Sequence, residues 1–248
     1  MRSATIIGYG KMGKEHAQAY KDLDIHVSHV CNDGSDWPAY IGQTDYISVC
    51  SPDHVHAKQV VQALNAGQQV FCEKPLCLNA VDLEIIETAL KKGGRLGVNY
   101  PLRYLYRSHP YKPADFIHMV YNWGRAYKME DWRKEIPNYS PIMAGGCHMI
   151  DWFMWSTGQK ITPVVTHRPK PLVEVAEFYF DGGYGRLVCD LSTSDGNHYQ
   201  SVRTSGGYSW KNSYKTDKRA CLKAFIQGET DHELIIEGTR ACLAMANA

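Results

Sequence analysis

The chain has 248 residues, with 27 lysines and arginines against 26 aspartates and glutamates and a formal charge of +1. That length admits two compact domains or one large one. Basic residues never run to more than two in a row, which argues against a nucleic-acid partner. No apolar stretch approaches the about 18 residues that a membrane-spanning helix needs.

The opening Met1-Arg2-Ser3 leads into a strand rather than a signal peptide, and the eight cysteines, at 31, 50, 72, 77, 147, 189, 221 and 242, include no C-x-x-C pair. A cytoplasmic protein with reduced thiols is the expectation.

In chain order, Thr5-Ile6-Ile7 has strand character, Gly8-Tyr9-Gly10-Lys11-Met12-Gly13 follows directly, and Lys14 to Leu23 reads as a helix. Strand, glycines and helix are the context in which such a turn cradles a dinucleotide. The first Gly allows the bend, the second lets backbone approach a pyrophosphate, and the third lets helix and strand pack closely. The helix start then offers free N–H groups and partial positive charge to the anion.

A second strand, His26 to Cys31, ends at Asn32 and Asp33, where the residue gripping the adenosine ribose belongs, roughly twenty residues past the glycines. An acid there binds the ribose hydroxyls and repels a 2′-phosphate, whereas Asn32 tolerates either cofactor. NAD or NADP is therefore expected, leaning to NAD because Asp33 is adjacent and no Arg follows. The same residues also suit a plain turn.

Tyr46 to Cys50 reads as a buried strand, Ser51-Pro52-Asp53-His54-Val55-His56 opens a helix to Ala66 with Gly67 as its cap, and Val70 to Cys72 is the next strand. Glu73-Lys74-Pro75 thus falls at the carboxyl end of a parallel strand, the edge where open α/β sheets bind ligands. A lysine there can exchange a proton or clamp a reacting oxygen. To act as a base near neutrality, a lysine needs burial or a neighbouring cation to bring down an ordinary pKa of about 10.4. Taken alone, a lysine before a turn is ordinarily a solvated surface residue. His54 and His56 would suit a metal on a strand, but at a helix start their side chains diverge, so no metal is expected.

Further on, Phe116 to Trp123, Ile161 to His167, Val173 to Phe180, Gly185 to Leu191 and Tyr199 to Thr204 predict an antiparallel sheet broken by Asp181-Gly182-Gly183 and Asp195-Gly196-Asn197 turns. An apolar helix from Gly146 to Trp155 carries His148 and would pack on one face; on such a helix a histidine is often only a hydrogen-bonded core residue. Asp217 to Gln227 and His232 to Ala246 read as closing helices. Tyr100, Tyr104, Tyr106, Tyr121, Trp123, Tyr127 and Trp132 would wall a flat ring or serve as packing residues.

Gly-Tyr-Gly-Lys-Met-Gly with His16, Ser-Pro-Asp-His-Val-His at 51 to 56, Ala63 to Gly67, Glu73-Lys74-Pro75, Gly97-Val98-Asn99, Asp131-Trp132-Arg133 and Gly146 to Asp151 together resemble the Gfo/Idh/MocA oxidoreductase family, from the N-terminus to about Gly158. The resemblance implies an α/β Rossmann-like dinucleotide-binding domain over 1–99, then an α+β domain over 100–248 with an open, mainly antiparallel sheet that binds substrate and forms homo-oligomer contacts. It implies an NAD(P)-dependent enzyme moving hydride between nicotinamide and a carbinol or carbonyl carbon of a small, sugar-like substrate.

Carried over, it puts Gly8, Tyr9, Gly10, Lys11, Met12 and Gly13 on the pyrophosphate and Asn32 and Asp33 at the ribose. Ser51, Pro52 and His56 line the crevice, with Glu73, Lys74 and Asn99 towards the nicotinamide. Lys74 resembles the family's catalytic lysine and His148 the histidine that shares its proton transfer. Arg103, Trp132, Arg133, His148 and Asp151 become expected substrate contacts.

Two departures accompany the resemblance. The family's acid four residues before the histidine is Ala144 here, and at that spacing on a helix it would share a face with His148. Between Asp33 and Asp45 there is room for one short helix only, so the first sheet should have fewer strands. The departures keep three alternatives open: a reductase of imines or conjugated substrates, an NAD-dependent glycosidase, and a non-catalytic nucleotide sensor.

Overall fold

The computed structural model describes residues 2–32, 37–105, 115–136, 139–212 and 219–247. Two compact units emerge, Met1–Pro101 with Asp217–Ile236, and Leu102–Thr216 with Glu237–Ala248.

The first unit opens with β1 (Ser3–Ile7), α1 (Lys11–Asp22) and β2 (His26–Cys31), followed by a 3-10 turn at Trp37–Tyr40. Next come β3 (Tyr46–Val49), a 3-10 turn at Asp53–Val55 running into α2 (His56–Asn65), β4 (Gln69–Cys72), α3 (Ala80–Leu90) and β5 (Arg95–Val98). The strands lie in the order β2-β1-β3-β4-β5, all parallel. A parallel sheet covered on both faces needs unbroken apolar strands, and β3 is buried at every residue whereas the edge strand β2 is not.

The expected economy between β2 and β3 is what the structure has, since among the described residues of that connection one 3-10 turn forms. α1 buries Gly13, His16, Ala19 and Tyr20, one stripe at helical spacing. Asn79 caps α3 by accepting the Asp82 N–H at 2.8 Å, and Gly67, at φ +73°, ends α2 in the left-handed region.

The second unit contains α4 (Leu102–Leu105), β6 (Phe116–Asn122), 3-10 turns at Ala126–Glu130 and Trp132–Glu135, a π-helical turn at Ile142–Gly146 and α5 (Cys147–Thr157). The strands β7 (Thr162–Lys170), β8 (Val173–Phe180), β9 (Gly183–Asp190), β10 (Tyr199–Thr204) and β11 (Ser209–Asn212) follow. The sheet order is β11-β10-β6-β9-β8-β7. It is mainly antiparallel as expected, but β6 and β9 pair in parallel, which makes the sheet mixed.

Gly145 and Gly146 let the helix start sit directly on this sheet. A Cβ at Gly145 would meet the Tyr121 ring at 2.0 Å, and one at Gly146 would meet Cys189 Sγ at 2.6 Å. Beyond them Phe153 packs 5.9 Å from Phe178 and 5.2 Å from Phe180, and Trp152 packs edge-on to Trp210 at 5.2 Å.

α6 (Arg219–Ile226) and α7 (His232–Asn247) close the chain. Here a correction is needed: the division at residues 99 and 100 gave everything later to the second domain, yet residues 217–236 belong to the first unit. The cause is Phe225, fully buried, which packs 5.4 Å from Phe71 and under the stacked guanidinium of Arg95 at 4.7 Å. Gly97 makes room for it, since a Cβ there would touch the Phe225 ring at 2.6 Å. All eight cysteines are free thiols and seven are buried. Among the described residues no helix is long and apolar enough to cross a membrane.

Candidate functional site

The carboxyl edge of the first sheet sets the site out in one row. Ile7, Val49, Cys72 and Val98 are register partners across β1, β3, β4 and β5, so the residue after each strand falls next to its neighbours. Gly8 N–H donates to Cys31 O at 2.8 Å, Cys50 to Ile7 O at 2.7 Å, Glu73 to Val49 O at 2.8 Å and Asn99 to Cys72 O at 2.9 Å. Chain order reverses on either side of β1, which is where such sheets open a crevice. Asn32 leaves β2 at the same edge and is exposed. Asp33 and Tyr106 lie outside the described residues.

The three glycines of the first turn have three different reasons to be glycine. Gly8 has φ +88°, and a Cβ on it would strike the Cys50 and Ser51 backbone at 2.6 Å. Gly13 lies against the same turn, its missing Cβ 2.1 Å from Gly8 O. Gly10 faces open space, with nothing within 4 Å of a Cβ. It is also the N-cap of α1, which has no side-chain cap and no acid in its first turn, so the positive helix end is left for an anion. Open space at a glycine on an uncapped helix start fits a dinucleotide pyrophosphate. Tyr9 and Met12 are half-buried beside it, and Lys11 is exposed, 4.0 Å from Glu15.

Beneath this edge lies a polar network that fixes the residue before Lys74. Glu73 is buried, and its Oε1 receives Asn99 Nδ2 at 2.7 Å and faces His16 Nε2 at 3.2 Å. A carboxylate only accepts, so Nε2 carries the proton. Nδ1 of His16 lies 3.1 Å from Ser48 Oγ and 3.2 Å from Cys50 Sγ, and Tyr20 OH joins Ser48 Oγ at 3.0 Å. Burial pushes the Tyr20 phenol well above its ordinary value, so it stays a neutral member of the network. Lys74 follows Glu73, half-buried, at the carboxyl end of β4.

His56 is held between two backbone carbonyls of this edge. It has no exposed surface, and its ring nitrogens face Pro75 O at 2.7 Å and Ser51 O at 2.8 Å. It braces the two crevice loops together. Ser51 and Pro52 are half-buried, and Ser51 Oγ donates to Gln59 Oε1 at 2.6 Å.

In the second unit, Arg103 and Asp151, both expected as substrate contacts, pair with each other. Arg103 Nε donates to Asp151 Oδ2 at 2.7 Å and its Nη2 to Oδ1, with both residues buried. Two opposite charges taken out of water neutralise each other first. His148 is half-buried, with the Tyr121 ring stacked at 6.1 Å. Behind Tyr121, His198 donates from Nδ1 to Trp123 O at 3.0 Å, which leaves its Nε2 to accept from Gln200 at 2.9 Å. Arg133 lies flat on Trp132 at 4.1 Å and pairs with Asp131 at 2.6 Å. Lys74 belongs to the first unit and His148 to the second.

Ser48 and Tyr20 were missed by sequence reasoning. The signal for Ser48 was a polar residue inside an otherwise apolar strand, which must find a buried partner.

Residues 2–100 match the family model described as "Oxidoreductase family, NAD-binding Rossmann fold". The inositol 2-dehydrogenase of Gluconacetobacter diazotrophicus is 32% identical over 114 residues, covering 37% of this chain and 34% of that one. Inositol 2-dehydrogenase 1 of Saccharopolyspora erythraea is 29% identical over 140 residues, or 51% and 39% of the two chains. The match thus spans little more than a third of these curated relatives.

Among solved structures, the WlbA (WbpB) dehydrogenase from Thermus thermophilus, in complex with NAD and UDP-GlcNAcA, is similar with a TM-score of 0.82 at 18% identity, over 99% of this chain and 95% of that one. Scyllo-inositol dehydrogenase from Lactobacillus casei, with bound NAD(H) and scyllo-inositol, gives 0.74 at 18%, over 100% and 96%. At such identities the likeness speaks for the fold.

Proposed function

Because residues 2–100 match the model of an oxidoreductase family with an NAD-binding Rossmann fold, we propose that this chain is a Gfo/Idh/MocA-type oxidoreductase that passes hydride between NAD and a carbinol or carbonyl carbon of a small, sugar-like substrate. The observation that carries the reading is the open space at Gly10, on the uncapped start of α1 and along the same sheet edge as Lys74. A bound nicotinamide supplies the hydride acceptor or donor.

The chain's own residues do the rest. Backbone N–H groups of Gly10 to Gly13 hold the pyrophosphate, and Asn32 takes the adenosine ribose. Glu73, fixed by His16 and Asn99, sets the direction of the loop that presents Lys74. Lys74 takes or returns the proton of the reacting hydroxyl, and His148 assists or orients. Trp132 and Arg133 are the proposed substrate contacts, with the Arg103–Asp151 pair buried in the same unit. Sugar-like substrates are supported by the relatives named for inositol, and assembly through the second sheet follows from the family resemblance.

Ala144 favours a second reading, reduction of an imine or conjugated bond, in which hydride delivery matters more than alcohol deprotonation. A pH-rate profile lacking the ionisation of a basic group would support it.

Energy transfer from tryptophan to NADH reports binding, and turnover is then screened against inositols and sugars. Lys74→Met is expected to cut turnover by about 10² or more with NADH affinity nearly intact. Unchanged turnover overturns the role of Lys74, and no NADH binding in folded protein overturns the cofactor site.

A further inference from the structure

A cleft of about 630 Å³ lies wholly within the second unit, and four of its thirteen lining residues, Arg133, Lys134, Arg168 and Lys170, are cationic against one acid, Glu174. Lysine and arginine are 27 of the chain's 248 residues, so an even spread would give such a lining one or two.

The acid is already engaged. Glu174 has no exposed surface, accepts from Ser140 Oγ at 2.5 Å and from the Ile142 N–H at 2.9 Å, and pairs with Arg168 at 2.7 Å. Its charge is used to start the helix that carries His148 and to hold one guanidinium in place. Arg133 is likewise fixed in direction by Asp131 and by the Trp132 ring. The two exposed lysines supply the surplus. Lys134 comes from the turn at Trp132–Glu135 and Lys170 from the end of β7.

The wall around Lys170 is stiff. Pro169 and Pro171 flank it and fix φ on either side, so ordering Lys170 costs less entropy than ordering a lysine on a free loop. Leu172, next in the wall, has φ +62°, the left-handed region that a branched side chain rarely adopts. Pro171 and Leu172 are the two-residue turn that joins β7 to β8, where a positive φ belongs, and the turn holds Lys170 at the rim. Like charges gathered around one concavity repel each other, and a bound anion removes that repulsion.

We infer that this cleft binds the phosphate group of a small organic molecule. A phosphate monoester carries up to two negative charges near neutrality and three acceptor oxygens, enough to engage lysines and a preset guanidinium together. Met129 and Ile136 give the organic part an apolar wall. The site is distinct from the glycine turn of the first unit and does not depend on nicotinamide binding there, although it shares Arg133 with the proposed substrate contacts.

Calorimetric titration of the whole protein with glucose 1-phosphate and with inorganic phosphate, at low ionic strength, tests the inference. Saturable binding of glucose 1-phosphate is expected, tighter than that of inorganic phosphate and weakened by added salt. In Lys134→Ala/Lys170→Ala it is expected to fall about tenfold or more. Both lysines are exposed, so the variant should melt like the wild type, and because both lie in the second unit its NADH transfer signal should match as well. Absence of saturable binding, or equal affinity in wild type and variant, overturns the site. Inorganic phosphate binding as tightly as the sugar phosphate overturns the organic ligand. A failed nicotinamide reading shows separately, as loss of the NADH signal in both proteins.

Discussion

Gly10→Ala and Gly13→Ala make opposite demands on the same turn. At Gly13 the new Cβ would stand 2.1 Å from Gly8 O, with Gly8 C at 3.1 Å and Ile6 Cγ2 at 3.3 Å. Cβ contacts essentially never fall below 3.0 Å, so α1 has to retreat about 0.9 Å from β1. The obstacle is backbone, which cannot swing aside as a side chain can. Overpacking of this kind costs about 1–3 kcal/mol, and better helix propensity returns up to about 1 kcal/mol. With the upper end apt for a backbone clash, a net loss of about 2 kcal/mol lowers Tm by about 4–8 °C in a chain of this size.

At Gly10 a Cβ meets nothing, and φ −70° suits alanine. Its stability cost is that of a poorer N-cap, under about 1 kcal/mol, while the methyl occupies the space proposed for the pyrophosphate. Thermal melts and NADH energy transfer on both variants separate the two effects. Gly13→Ala should lose stability and binding together, and Gly10→Ala should lose NADH affinity by about tenfold or more with its melt nearly unchanged. Wild-type NADH affinity in Gly10→Ala refutes the pyrophosphate cradle. A wild-type melt for Gly13→Ala refutes the packing argument.

Arg103→Met leaves Asp151 buried and uncompensated, so urea unfolding should show about 3–5 kcal/mol of lost stability; a variant as stable as the wild type would return Arg103 to the substrate contacts. His232 gives a pH test. Burial first, then the nearby Arg95 charge, holds its pKa below the ordinary value, while Nδ1 accepts the Leu96 N–H at 3.3 Å. The unfolded chain therefore binds the proton more readily than the folded one. The stabilisation is present at and above pH about 6.5 and is lost as pH falls below it through the folded value. Tm should fall between pH 7 and pH 5, and less steeply in His232→Gln; His118, whose pKa is also held down, contributes to both proteins alike. Equal slopes would refute the role of His232.

The first unit was legible because its strands are short, apolar and separated by turn residues with single meanings. His26–Cys31 was read with the bounds it has, as were Val173–Phe180 and Tyr199–Thr204 in the second sheet. What failed was partnership between distant segments. Nothing local in Arg219–Ile226 says that Phe225 will sit on Gly97 and Phe71, because the missing Cβ and the aromatic ring are far apart in the chain. The pairing of Arg103 with Asp151 was hidden for the same reason, since each looks available until the other is placed. β11, four residues long, gives alternation too little length to register, and the π-helical turn at Ile142–Gly146 has no periodic signal at all. Ser48 and His16 were visible as polar residues in apolar surroundings, but the carboxylate they serve follows another strand.

The absent acid at position 144 takes on a different meaning once that turn is seen. The expectation that positions 144 and 148 share a face assumes α-helical spacing, whereas Ala144 lies in a π-helical turn that ends immediately before α5. A π turn bonds i to i+5 and rotates less per residue, so four positions no longer complete one regular turn. The turn is held where Gly145 and Gly146 press on Tyr121 and Cys189, contacts that any Cβ would break. Ala144 itself is 6% exposed, and an acid there would be a buried charge in need of a cation. Arg103, a buried cation of this unit, already serves Asp151. Alanine is thus consistent with the local packing, and the proposed proton chemistry has to be carried by Lys74 and His148 without a second acid one turn away.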